Sequence, residues 1–343
     1  MAELSHRALR ELIESFKPAG AGITEGGADE YFTEMISAGA LNSGGPFEAW
    51  YADNGPCPEK LVYQLVGGDV EQMLRAVVFL DQLDCLGIDI NMGCSAPAIT
   101  RTGAGVRWMA DADKASALIR LIRPKTRRRL SVKLRTGLND DFEYLVRFCR
   151  CLEEEGLDLI TLHPRTAKEK FKRKAHWDYI SALRKELRIP VAGNGDISSV
   201  KEMLDRSGEC DAVMIGRLAL RHPWVFAEAR ELMNVQPQST QSFKGNNMDT
   251  CNITSCSSVN SVVKNLEVNT SQIEETGLRF LELLARYQPP EFHLSRARRF
   301  FAYFCDNLKW GNYVKNLLNR ETDLSGIEKA WRAYFTGLNQ KYP

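Results

Sequence analysis

The sequence lacks any apolar run approaching the roughly 18 residues that cross a bilayer as a helix, so no membrane span is expected. Its first residues, Met1-Ala2-Glu3-Leu4-Ser5-His6-Arg7, contain no apolar core of a secretion signal. An excess of either charge is also missing. The 45 Lys and Arg stand against 44 Asp and Glu, a formal net charge of +1. A polyanionic partner would have to be met by local basic patches rather than by the whole surface. The nine cysteines form no Cys-x-x-Cys pair and no cysteine–histidine cluster at zinc spacing. No metal site is expected, and a reducing cytoplasm is the simplest setting. Gly-x-Gly-x-x-Gly and Gly-Lys-Ser/Thr loops are absent, so neither a Rossmann nor a P-loop site is indicated.

What is present is alternation. Strands are expected at 31–35, 61–65, 87–91, 131–135, 159–163, 190–194 and 212–216. Amphipathic stretches such as 112–123, 140–155 and 179–187 lie between them, the pattern of a parallel sheet. The last five strands end in Asn91, Arg135, His163, Asn194 and Gly216, which are odd for a core. In a (β/α)8 barrel the strand C-termini form the active face. A doubly wound sheet also alternates, but it does not need functional groups at nearly every strand end. The fold expected is therefore an α/β TIM barrel. Only seven strands are counted, because the chain opens directly in a helix from Ser5, its expected N-cap, to Phe16. The first barrel strand is expected to precede Met1. A barrel left open exposes hydrogen-bonding edges, so poor folding is expected of this chain. Residues 1–235 form the expected barrel domain. The Ser-, Asn- and Thr-rich segment 236–276 reads as a flexible linker. Residues 277–343 read as a small all-helical domain, with helices at 295–307, 310–318 and 326–338.

Several residues could carry chemistry. Cys94 lies on a loop just past a strand end, where a substrate can reach it. Lys133 lies inside an apolar strand, which is costly unless it meets an anion or polar ligand. His163 and Asn194 end neighbouring strands on the same face, and the three together suit the polar edge of a flavin ring. Gly193-Asn194-Gly195-Asp196 and Gly216-Arg217 fall where barrels commonly build phosphate sites. Lys168 to Lys174, with Phe171 interleaved, forms a basic run on the active-face side. Arg127 to Arg129 form another at the lower end, read as solvated. Arg296, Arg298 and Arg299 beside Phe300 and Phe301, with Lys309, Trp310, Tyr313 and Lys315, read as a basic and aromatic surface suited to RNA. Two alternatives stay open on these residues: an FMN barrel acting on a small dihydropyrimidine or dihydroorotate, and a non-catalytic tRNA-binding protein.

In order along the chain, Thr33-Glu34-Met35-Ile36-Ser37-Ala38, Gln64-Leu65, Asp89-Ile90-Asn91-Met92-Gly93-Cys94 and Lys133-Leu134-Arg135 resemble the tRNA-dihydrouridine synthases. So do His163-Pro164-Arg165-Thr166, Asn194-Gly195-Asp196-Ile197 and Met214-Ile215-Gly216-Arg217. The resemblance covers nearly all of 1–235 and, more loosely, the C-terminal helices. It implies FMN held by Met1, Gln64, Lys133, His163, Asn194, Gly195, Asp196, Gly216 and Arg217. It implies NADPH or NADH as reductant and Cys94 as the acid that protonates carbon 5 of a flipped-out uridine. Asn91, Arg135, Arg165 and Lys168 are the expected substrate contacts, and the helical domain is expected to grip tRNA. A monomer is expected. The chain departs from the family pattern after the cysteine, where Ser95 replaces the usual proline and Pro97 follows. Met1 matches a family methionine at the end of the first strand.

Overall fold

A computed structural model of the chain describes residues 4–18, 26–169, 172–235 and 269–341. Seven parallel strands form one sheet in sequential order. They are β1 (Tyr31–Ser37), β2 (Leu61–Val66), β3 (Gly87–Met92), β4 (Arg129–Gly137), β5 (Leu159–Thr166), β6 (Val191–Asn194) and β7 (Ala212–Met214). All seven expected strands are present. β2, β3 and β5 are buried along their whole length, so both faces of the sheet are covered. Alternate side chains such as Ile88, Ile90, Val132 and Leu134 are fully buried. Each such burial is worth about 1.5–3 kcal/mol. Helices return the chain between strands. Asp69, Asp111, Asp141 and Ser199 cap four of them by accepting backbone N–H groups of the first turn.

Among the described residues no β7–β1 pairing closes the sheet; β1 and β7 are its two edges. β7 is accordingly the least buried strand. Side chains bridge the seam. Arg230, on the helix Val225–Val235 that follows β7, donates to the Gly27 carbonyl and pairs with Asp29 just before β1. The Phe16 and Trp224 rings meet edge-on at 5.8 Å.

The helix Arg7–Glu14 starts two residues later than its expected cap. His6, not Ser5, is the N-cap, and its Nδ1 accepts the Leu9 N–H at 3.4 Å. This works because burial, reinforced by Arg296 and Arg10, pushes the His6 imidazole well below its usual range and keeps it neutral. Sequence pattern favours serine at a cap; here a neutral buried imidazole replaces it.

The C-terminal helices are Thr270–Tyr287, Pro290–Phe304, Gly311–Asn319 and Leu324–Lys341. The first begins at Thr270, capped by Asn269, ahead of the position where apolar spacing becomes regular. Phe280, Phe300, Phe301, Phe304, Trp331 and Phe335 form their core. Gly277 is required there, since a Cβ would lie 2.5 Å from the Trp331 ring. Phe300, Phe301 and Arg296 are therefore not surface residues, contrary to the sequence reading. Arg296 lies one helical turn before Phe300, so it shares the buried face and is accommodated there by Glu34, while Arg299 faces solvent.

A β-bulge shapes the joint between the two parts. Phe32 pairs with Val62 and Met35 with Gln64, so one extra residue is accommodated in β1. The bulge is tied down by Thr33 Oγ1, which accepts the Gln64 N–H at 3.0 Å and donates to the Glu34 carbonyl at 2.8 Å. Glu34 then meets Arg296 at 2.8 Å, both side chains only 3% exposed. The Arg296 guanidinium lies 4.5 Å from the Phe292 ring centroid. Removing one partner from a dry pair costs about 3–5 kcal/mol, while replacing both by apolar groups is often neutral. Arg296→Met should lower unfolding stability by about that amount in denaturant titration, and Glu34→Leu/Arg296→Met should restore most of it. A single-variant loss below about 1 kcal/mol would contradict a desolvated pair.

Candidate active site

The parallel register brings the polar strand ends to one face. Asn91 pairs with Lys133, Lys133 with Thr161, and Arg135 with His163. Cys94 follows β3 by two residues and is half-buried. Its backbone is anchored at both ends: the N–H donates to Asn91 Oδ1 at 2.9 Å, and the carbonyl accepts Val106 N–H at 3.0 Å. Arg135 Nε donates to the Gly93 carbonyl at 3.0 Å and so supports the same loop from β4.

Lys133 Nζ reaches across β5 and donates to Asn194 Oδ1 at 3.0 Å. Asn194 Nδ2 in turn donates to the Met214 carbonyl at 2.8 Å, linking β6 to β7. Lys133 is half-buried among the strand ends. That enclosure lowers its pKa to about 8, against the pull of Asp89. Asp89 is fully buried beneath it, and burial raises its pKa to about 6 despite hydrogen bonds from Ser131 and Gln64.

A second cluster lies at the ends of β5 and β6. Arg165 is 2% exposed and its guanidinium is engaged on all sides. It makes two bonds to Asp196, at 2.7 and 2.6 Å, one to the Arg173 carbonyl at 2.6 Å, and one to His163 Nε2 at 3.0 Å. Arginine only donates, so His163 Nε2 is the acceptor and the ring's proton is on Nδ1. Burial, then Lys133, Arg135, Arg165 and Arg217, lowers the His163 pKa to about 2. Burial opposes ionisation of Asp196, but bonds from Arg165 and the Ala175 N–H outweigh it and hold that carboxyl below its usual range. Asp196 adopts φ 55°, a left-handed conformation uncommon outside glycine. The two Arg165 bonds and the Ala175 N–H at 2.8 Å hold it there. Gly195, at φ 129°, passes so close to His163 that a Cβ would lie 2.9 Å from the ring. Exposed Arg217 lies 3.6 Å from Asp196. Lys133, Arg135, Arg165 and Arg217 outnumber Asp89 and Asp196, so the face carries a positive field that suits an anionic ligand.

Cys94, Gln64, Asn91, Lys133, Arg135, His163, Arg165, Asn194, Gly195, Asp196, Gly216 and Arg217 thus share one end of the sheet. Lys168 is exposed at the rim, with Nζ 3.3 Å from Asn139 Oδ1. Met1, Lys170, Phe171 and most of the 236–276 segment lie outside the described residues. Arg123, Arg127, Arg128 and Arg129 line a surface hollow of about 570 Å³ beside the start of β4. It is at the opposite end of the strands from Cys94, and Arg129 there pairs with Glu30. Sequence reading missed two residues. Asp89 carried the same signal as Lys133, a charge inside an apolar strand. Ser131 carried none.

A parallel barrel wall with a loop cysteine, a buried lysine and an electropositive phosphate-type corner at the strand C-termini is the architecture of a barrel enzyme that handles an anionic cofactor or substrate. The comparisons narrow this further. The family model described as dihydrouridine synthase (Dus) matches residues 1–280. A probable tRNA-dihydrouridine synthase of Aquifex aeolicus is 33% identical over 244 residues, 69% of this chain and 72% of that protein. The tRNA-dihydrouridine synthase B of Pasteurella multocida is 32% identical over 173 residues, 50% of this chain and 52% of that protein. A tRNA-dihydrouridine(16) synthase of Ralstonia nicotianae is 30% identical over 185 residues, 53% and 56% of the two chains. The chain belongs to the dihydrouridine synthase family. The resemblance read from the motifs is borne out.

The His163 environment predicts a pH response. Between its folded value near 2 and the ordinary 6.5, the unfolded chain binds a proton that the folded chain does not. Stability should therefore fall as pH drops below about 6.5. In denaturant titrations from pH 7.5 to 5, His163→Gln should remove part of that slope. An unchanged slope would mean that His163 is readily protonated in the folded protein.

Proposed function

We propose that this chain reduces the 5,6 double bond of uridine in tRNA to dihydrouridine, with FMN as resident cofactor and NADPH or NADH as reductant. The observation that carries this reading is the Cys94 loop beside the Lys133–Asn194 pair at the mouth of a barrel wall whose family is dihydrouridine synthase.

The donor set fits FMN. Lys133 and Asn194 offer a cation and an amide to the polar edge of the ring, and Gln64 supplies a further amide. Arg217 and the Gly195–Asp196 turn supply charge and backbone for the phosphate. His163, kept neutral chiefly by burial, adds no charge beside a ring system. Arg165 acts here as a positioning residue, since its donors are spent on His163, Asp196 and the Arg173 carbonyl. Bound FMN, once reduced, supplies hydride to carbon 6 of the uracil.

The remaining work falls to the chain. The Cys94 thiol donates a proton to carbon 5 as hydride arrives at carbon 6, so the ring gains two hydrogens and no charge accumulates. Asn91 acts on the uracil site indirectly, through the cysteine loop that its oxygen holds. The target base leaves its stack to reach the strand-end face, and the positive face holds the adjacent backbone. Lys168 extends that field at the rim. The tRNA body is met by the helical part. Trp310 and Tyr313 are 58% and 63% exposed, beside Lys309. The Arg221–Asp306 pair at 2.8 Å ties this surface to the segment following β7. Exposed aromatic and basic groups suit base stacking and phosphate contact. We assign the protein to the cytoplasm, where tRNA is modified under reducing conditions, and take it to act as a monomer.

Cys94→Ala should bind FMN and tRNA yet form dihydrouridine about 100- to 10,000-fold more slowly, the usual weight of a general acid. Mass spectrometry of tRNA reads this directly through the two-dalton gain at uridine. Near-normal product formation would remove Cys94 from the reaction. Lys133→Ala should weaken flavin affinity or slow flavin reduction; both unchanged would take Lys133 out of the site.

A further inference from the structure

Beneath the cysteine loop runs a chain of four buried side chains joined by hydrogen bonds. Ser131 Oγ donates to Asp89 Oδ1 at 2.7 Å, and Gln64 Nε2 donates to Asp89 Oδ2 at 2.8 Å. Asn91 Nδ2 donates to Gln64 Oε1 at 3.1 Å. Asn91 Oδ1 then accepts the N–H groups of Gly93 at 3.2 Å and Cys94 at 2.9 Å. Exposure is 0% for Ser131 and Asp89, 5% for Gln64 and 6% for Asn91.

An amide side chain is symmetric in shape but not in chemistry: either end fits, and only one end donates. An ionised carboxylate has no such choice, since it only accepts. Asp89 therefore forces the NH2 end of Gln64 toward itself. That leaves the Gln64 oxygen for Asn91, which must present its own NH2 group. The Asn91 oxygen is left to hold the backbone of the cysteine loop. Turning either amide over would set like against like at a buried contact, at the cost of an unsatisfied polar group.

We propose that Asp89 is a positioning residue for Cys94. It fixes the polarity of Gln64 and Asn91 in series, and so holds the loop that carries the thiol. This rests on the reading of Cys94 as proton donor for its consequence in turnover, but not for its geometry. Asp89→Asn tests the polarity separately from the charge. Ser131 is a hydroxyl and can accept as well as donate. The amide introduced by Asp89→Asn can therefore give its NH2 to Ser131 and keep its oxygen on Gln64. The relay survives, while the negative charge that acts on Lys133 from below is lost. Asp89→Leu removes the root altogether.

The probe is iodoacetamide alkylation of each cysteine in the folded chain, resolved by peptide mass spectrometry. Asp89→Leu should speed alkylation of Cys94 by about fivefold to thirtyfold, as expected for losing one or two hydrogen bonds that hold a loop. Asp89→Asn should stay within about twofold of the parent. Buried Cys149 reports general loosening and should stay unreactive in both. If Asp89→Leu does not fold, Asp89→Asn with Ser131→Ala asks the same question of a near-isosteric core. There the introduced NH2 group loses its acceptor, the amide is free to turn, and Cys94 should again react faster than in Asp89→Asn alone. In turnover, Asp89→Leu should lower kcat with the KM for tRNA unchanged. Equal Cys94 reactivity in the parent and Asp89→Leu, or in Asp89→Asn and its Ser131→Ala double, overturns the proposal. A parent chain that makes no dihydrouridine while its Cys94 reactivity follows the expected order would leave the relay standing and sink the functional reading.

Discussion

Charges placed inside a barrel wall must be answered from within it, because water is excluded there and an unpaired ion is prohibitively costly. This chain puts Asp89, Lys133, Arg135 and Arg165 at or just below its active face. Each is met by a neighbour: Asp89 by Ser131 and Gln64, Lys133 by Asn194, Arg135 by the Gly93 carbonyl, Arg165 by Asp196 and His163. These answers cross from strand to strand, so the polar layer also sets how the strand ends sit relative to one another. The surplus positive charge left after pairing is then available to an anionic ligand.

The same logic governs the joint with the helical part. Glu34 leaves the regular strand alternation through a bulge, and its partner is an arginine more than 250 residues away in the chain. A dry ion pair is directional in a way that apolar packing is not. It fixes the helical domain against β1, the strand that carries Met35 to within 3.2 Å of Asn91. The surface that we propose for tRNA and the pocket that we propose for uracil are thus referred to one strand.

The strands were legible because β-periodicity and short apolar runs survive in a single sequence, and the polar residue ending each run marked the face. The same rule read Lys133 as functional and passed over Asp89, though both are charges in apolar strands. Asp89 acts on its neighbours and not at the mouth, and a one-dimensional pattern does not separate those depths. The Arg296–Phe301 stretch failed for a different reason. Arg296 shares a helix face with Phe300 one turn on, and only its pairing with distant Glu34 lets that face, arginine included, turn inward. Ser5 failed as a cap because the competing group, His6, becomes a good acceptor only once burial has made it neutral.

By itself, then, the sequence determined the order of elements, the family and the set of side chains that gather at the strand ends, since these depend on local periodicity and short motifs. The tertiary structure alone decided which of those side chains are spent on one another. It set His163 neutral with its proton on Nδ1, locked Arg165 onto Asp196, turned Arg296 inward and ran a hydrogen-bonded chain from Asp89 to Cys94. Those outcomes follow from burial and pairing between distant segments, and burial is a property that no residue possesses until the chain has folded.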